Sequence, residues 1–277
     1  MPRLRFVPLV VALGSAAPLA GQGVLVAPHA VYIDHARRNG TVTLYNPNPE
    51  PAEITISTAF GYPVTDSLGH FALRTVEHPD STLPSAAEWV QAFPRRLTIA
   101  PLERQTVRLL ATPPAGLPDG EYWARLIIST RGGRLPVAGI GDTATVRVQL
   151  NLVVNTNIGL AYRKGPVATG VALSKLRVHV GRDSVEVWSR LERRLTAAYV
   201  GTVRAALVDS TGKVRSTLSA PIAVYFVMEP RYALAVGGLA PGLYWLRYEV
   251  VTDREDLDPA VVLQASTVRD SVELRLP

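Results

Sequence analysis

Cysteine is absent from this chain. That excludes a disulfide framework and any chemistry carried by a thiolate, so the folded state has to rest on hydrophobic cores alone. Long apolar runs are missing too. The longest, Phe6 to Leu13, is far short of the roughly 20 residues that a spanning helix needs, which excludes stable membrane insertion by a helix. Basic residues are not concentrated: Lys and Arg are scattered along alternating segments, without the basic face and interleaved aromatics of a nucleic-acid binder. No serine lies in a Gly-x-Ser-x-Gly elbow. The histidines, His29, His35, His70, His78 and His179, lack metal-ligand spacing. These absences point away from an enzyme and from any cofactor or metal. The run Gly139-Ile140-Gly141-Asp142-Thr143-Ala144 superficially fits a dinucleotide fingerprint, but it precedes a strand where that chemistry needs a helix N-terminus.

The chain opens with Arg3 and Arg5, the short apolar run, and then Gly14, Ser15, Ala16 and Ala17. This is the form of a secretory signal peptide, with cleavage expected near Ala20, and residues 1–21 are assigned to it. Losing Arg3 and Arg5 takes the formal net charge from +6 to +4, which leaves a mildly basic exported protein.

The remainder alternates. Val42 and Leu44, Ile54 and Ile56, Leu97 and Ile99, Val107 and Leu109, and then Val146, Val148, Leu150, Leu152 and Val154 all repeat every second residue, the period of half-buried strands. Asn39-Gly40, Asn46-Pro47-Asn48-Pro49, Asp66-Ser67-Leu68-Gly69 and Arg131-Gly132-Gly133 read as turns, and Asn39-Gly40 in particular as a hairpin. One helical turn is expected around Ser85 to Phe93, between Pro84 and Pro94. After Tyr162-Arg163-Lys164-Gly165-Pro166 the pattern restarts with Leu176, Val178 and Val180, a turn at Asp209-Ser210-Thr211-Gly212, and later strand-like segments Val224 to Val227, Tyr232 to Val236, Leu243 to Val251 and Val268 to Leu276. The expected fold is all-β: two immunoglobulin-like β-sandwich domains after a signal peptide, over residues 22–164 and 165–277. Trp89, Trp123, Trp188 and Trp245 fall on or beside strands and are expected in the cores, in preference to a sugar-stacking platform.

Taken in order, several segments of the first half resemble the periplasmic chaperones that assemble pili. These are Val24-Leu25-Val26-Ala27-Pro28, Gly40 to Asn46, Leu97-Thr98-Ile99-Ala100-Pro101 followed by Gln105-Thr106-Val107-Arg108, Leu117 to Leu126, and Ile158 to Arg163. The resemblance implies a non-enzymatic periplasmic protein that binds an exported, pilin-like β-rich subunit by lending it the last strand of its first domain, a form of β-augmentation. In this sequence that strand is Thr143 to Leu160, with Val148, Leu150, Leu152 and Val154 as the lending row, on one face because side chains repeat every two residues. Alternating aliphatics also describe an ordinary core strand. Length separates the two readings: about eighteen residues, against a usual five or six, should overhang its own sheet, and an overhanging apolar edge calls for a partner.

The family grips the subunit's terminal carboxylate with an Arg on the first strand and a Lys near the end of the last. Here those places hold His29 and Gly159, and His29, Arg163 and Lys164 are the cations available to replace the pair. Two alternatives stay open. One is a structural or adhesive two-domain module of a cell-surface assembly, and the other is a carbohydrate binder acting through exposed tryptophans.

Overall fold

The computed structural model describes residues 23–131 and 152–277. The expected signal peptide, Val148, Leu150 and the glycine-rich loop after Arg131 lie outside the described residues.

The first ten strands are β1 (Leu25–Ala27), β2 (Ala30–Asp34), β3 (Asn39–Tyr45), β4 (Ala52–Thr65), β5 (Phe71–Val76), β6 (Val90–Phe93), β7 (Arg96–Ile99), β8 (Arg104–Ala111), β9 (Gly120–Arg131) and β10 (Val153–Lys164). They form two sheets, β1-β3-β8-β6 and β2-β10-β9-β4-β5 with β7 also on β4. The alternation read from the sequence is the alternation of burial. Val42, Leu44, Val107, Leu109, Ile99, Leu126 and Ile128 are enclosed between the sheets, while their odd-step neighbours face out.

The second set is β11 (Thr169–Val180), β12 (Ser184–Leu195), β13 (Tyr199–Asp209), β14 (Val214–Val224), β15 (Val227–Met228), β16 (Arg231–Ala235), β17 (Gly242–Val251) and β18 (Val268–Leu276). One sheet runs β11-β12-β15 with β16 on β12, and the other runs β14-β13-β17-β18. Their core is built on Val185, Val187, Leu191, Val203, Leu207, Leu246 and Val250. The Asp209 to Gly212 turn joins β13 to β14. There the Asp209 carboxylate accepts from the Thr211 and Lys213 amides at 2.9 and 3.0 Å and from Arg215 at 2.6 Å, an Asx-type turn that explains the residue choice.

Three expectations are corrected, and a fourth, the turn near Ser85, is met before the chain passes into a strand. Asn39-Gly40 is not a hairpin turn: both residues open β3, and the turn lies at His35 to Arg38, with Arg38 at φ 54°. β2 and β3 are not paired either. β2 runs parallel to β10, whereas β3 belongs to the facing sheet, and Gly40 is needed because an added Cβ would stand 2.9 Å from Val31 across the sandwich. The segment from Ser85 to Phe93 makes a single turn, closed by the Val90 amide on the Ala86 carbonyl at 3.1 Å, and then becomes β6. Tyr225-Phe226 divides the expected strand from Val224 to Val227, because both rings turn into the joint between the sandwiches. Finally, Trp188 and Trp245 point outward, each alternating with buried neighbours on its strand, and are half-exposed. Trp89 packs edge-on against Tyr162 at 4.8 Å beside the first core.

The joint itself is aromatic and charged. Trp123, Phe60 and Ala161 of the first sandwich meet Ala198, Tyr225 and Phe226 of the second, with Trp123 edge-on to Tyr225 at 4.7 Å. Buried inside it is Glu121. One carboxylate oxygen accepts from the Trp123 indole at 2.8 Å and the Ala198 amide at 3.0 Å, and the other accepts from Arg163 at 2.8 Å. Arg163 also donates to the Val261 carbonyl at 2.7 Å and lies 4.4 Å over the Tyr32 ring. Every partner that such a buried ion pair demands is present. Farther out, the β4–β5 hairpin reaches the second sandwich, where the Glu229 amide donates to Thr65 Oγ1 and the Arg231 amide to the Gly69 carbonyl.

Candidate functional site

β10 is paired along its whole length with β9, from Val153 opposite Arg131 to Lys164 opposite Gly120. On its other side β2 covers only part of it, from Gly159 to Arg163. The reason is local: the chain runs Leu25–Ala27 in the opposite sheet and crosses over at Pro28-His29 before β2 begins. Residues 153–158 of β10 therefore present a strand edge that no described strand pairs. Six residues at about 3.3 Å each give an edge of about 20 Å.

The side chains along this edge change environment in step with the pairing. Tyr162, Leu160 and Ile158 are buried in the first core at 0, 1 and 5% exposure. Continuing up the same face, Thr156 and Val154 are half-buried, and Leu152 is 39% exposed. Val154 sits beside Gly23, where an added Cβ would stand 3.3 Å from it. The core row thus runs out of its own sandwich with its aliphatic character kept except at Thr156. The opposite face carries Asn155, whose Oδ1 accepts from Ser129 at 2.6 Å, then Asn157 and Gly159. The strand ends at Lys164, four residues beyond the expected end at Leu160, because β2 and β9 continue to pair it to the domain joint.

The expected cations separate into two places. Arg163 is committed to Glu121 and Val261 inside the joint. The Lys164 ammonium donates to the Leu117 carbonyl, with Asp119 at 3.8 Å. Both side chains are held as structural ties, so the reading of them as free replacements for a carboxylate grip is not what the structure presents. Gly165, at φ 62°, follows directly, in the left-handed region that favours glycine.

His29 is exposed just before β2, one residue from the Ala30–Gly159 pair. Arg254 grips Asp256 through two hydrogen bonds of 2.6 Å and holds that carboxyl below its ordinary range, with a smaller pull from His29. The cation that sequence reasoning missed is Arg125. It lies opposite Gly159 in the β9–β10 register, and its guanidinium would be 3.4 Å from a Cβ at Gly159. Its Nε donates to the Gly61 carbonyl at 3.1 Å, and the group lies 5.4 Å over the buried Tyr225 ring. Its outward place on alternating β9 was legible in the sequence. The register that sets it against Gly159 was not. Burial, the largest cause, pushes the neighbouring Tyr32 hydroxyl up to about 12 and raises Tyr225 as well.

Among the described residues no group of His, Asp and Glu is arranged to hold a metal ion, and no helix is long and apolar enough to cross a membrane.

No family model and no curated protein sequence matches the chain. Solved structures do. The YadV chaperone shares 14% identity over 91% of this chain and 99% of that one, with a TM-score of 0.44. The SafB chaperone of Salmonella enterica, solved in complex with the SafA pilin, matches at 13% identity, 91 and 98% coverage and a TM-score of 0.44. The CsuC–CsuE chaperone–tip subunit pre-assembly complex of Acinetobacter baumannii matches at 15% identity, 90 and 97% coverage and a TM-score of 0.44. At these identities and TM-scores the functional reading rests on the geometry of β10.

Proposed function

We propose that this is a periplasmic, chaperone-like protein that captures an exported β-rich, pilin-like subunit along the vacant edge of β10. The observation that carries the reading is the six-residue edge at 153–158, from which the aliphatic core row of the first sandwich emerges into solvent. An unpaired edge beside exposed aliphatics is a ready template for another strand, which proteins normally cover or blunt. Main-chain hydrogen bonds to 153–158 supply affinity, and Leu152 and Val154 supply the alternate side chains that fill the partner's groove. In the sequence, Val148 and Leu150 continue the same alternation. Arg125 and His29, level with Gly159, form the cationic end of the track and suit a terminal carboxylate of the captured strand.

The test is a pull-down of the exported protein from the periplasm of its own host, with mass spectrometry of whatever co-purifies in stoichiometric amount. The expected result is a small exported β-protein, lost when Leu152→Asp is introduced without loss of fold. Recovery of the protein only in large surface-bound complexes would replace this reading with that of a structural module.

A further inference from the structure

The outer face of the β14-β13-β17-β18 sheet carries a feature that strand capture does not use. Its outward positions follow from register. Thr217, Ala206, Arg247 and Ser271 form one cross-strand row, and Ser219, Arg204, Glu249 and Arg269 form the next. Between these rows lies a groove of about 960 Å³, at the upper end of the size expected of small-ligand sites. The row on its other side holds Val208, Trp245 and Glu273. Trp245 is half-exposed, stands outside the groove's lining, and is two residues from Arg247 on the same strand face, so their Cα atoms are about 7 Å apart along the strand.

The charges are unequal in their partners. Arg204 is paired with Asp253, and Arg269 with Glu249 at 3.1 Å. Asp270 accepts from the next backbone amide at 2.8 Å. Arg247 makes no hydrogen bond or ion pair among the described residues, although it lines the groove. Ala206 and the hydroxyl residues Thr217, Ser219 and Ser271 also line the groove.

We propose that this face binds an acidic oligosaccharide, with one sugar ring stacked on Trp245 and a carboxylate substituent on the Arg247 guanidinium. A flat aromatic offers a surface for the C–H face of a sugar ring, the hydroxyls can exchange hydrogen bonds with its hydroxyl groups, and the Glu273 carboxylate can accept from them. One unanswered guanidinium suits a ligand with one negative charge per ring, because a planar fork matches a carboxylate with two parallel bonds. A multiply charged phosphate would call for several uncompensated cations. A peptide strand would seek an edge, and this face has its backbone groups already paired within the sheet.

The experiment is isothermal titration of the full exported chain with tetragalacturonate, with neutral maltotetraose, and with tripolyphosphate. Tetragalacturonate is expected to bind at least about tenfold more tightly than maltotetraose. Arg247→Ala should erase that preference and Trp245→Ala should weaken both sugars, with the thermal midpoint of each variant within about 2 °C of the parent because both side chains face solvent. No detectable heat with tetragalacturonate, or binding that neither substitution alters, would overturn the proposal. Equal binding of tripolyphosphate that ignores Trp245→Ala would overturn it in favour of a simple phosphate site. None of these outcomes depends on strand capture at β10.

Discussion

The two halves of β10 carry the same alternating pattern and meet opposite fates. Residues 159–163 are paired on both edges, by β9 and β2, and Leu160 and Tyr162 are sealed in the core. Among the described residues, 153–158 are paired by β9 alone, and the same face loses its cover step by step up to Leu152. One short strand makes the difference. Identical sequence logic serves as structure where a neighbour is present and as an offered surface where it is absent.

The largest effect should come from placing the same substitution in each half. Leu160→Asp puts an unpaired carboxylate in the first core and should cost about 4 kcal/mol or more, enough to unfold that sandwich in a urea titration. Leu152→Asp should shift the urea midpoint by less than about 0.5 kcal/mol equivalent and abolish partner capture. Equal destabilisation by both would erase the distinction between the halves. Next in size is Glu121→Ala, which strips the Trp123 indole, the Ala198 amide and Arg163 of their shared acceptor. Breaking such a buried pair should cost about 3–5 kcal/mol, read as separate melting of the two sandwiches by calorimetry. This would sharpen the contrast, since the doubly paired half of β10 is the part that holds the joint.

Arg125→Ala should leave stability within about 1 kcal/mol and weaken subunit capture by about tenfold, measured by titration with the purified subunit. The same substitution should have no effect on a subunit whose terminal carboxylate is amidated. The smallest effect is alkaline. Burial raises Tyr32 from 10.0 to about 12, so the unfolded chain loses this proton first. Tyr32 therefore leaves stability unchanged below pH 10 and lowers it as pH rises from 10 towards about 12. Tyr32→Phe should flatten that part of the pH–stability curve by one tyrosine's share, with Tyr225, Tyr232 and Tyr248 still contributing.

Much of the all-β fold was legible because a period of two is a local property. Val42, Leu44, Val107 and Leu109 announce their own burial without reference to any partner. The outward aim of Trp188 was also legible, since Val185 and Val187 take the inward positions of β12. Its expected place in a core rested on its position in a strand-like segment and not on its parity. Asn39-Gly40 misled for a different reason. The dipeptide suits a tight turn, but here glycine is demanded by the approach of Val31 from the facing sheet, which local sequence does not record.

The candidate site divides in the same way. Leu152 and Val154 could be named from the resemblance of the first half to pilus-assembly chaperones, supported by alternation and strand length. Arg125 could not, because its value comes from standing opposite Gly159 and over Tyr225, residues distant in the chain. The sequence by itself determined that the chain forms strands, which side chains share a face, and that apolar cores without disulfides must hold it. Only the tertiary structure decided which edge no described strand pairs, that Arg163 closes the joint, and that Arg247 stands on an outer sheet face without a partner among the described residues. Side-chain periodicity is written into the backbone geometry of each residue, whereas pairing is a choice among distant strands that the whole packed molecule makes at once.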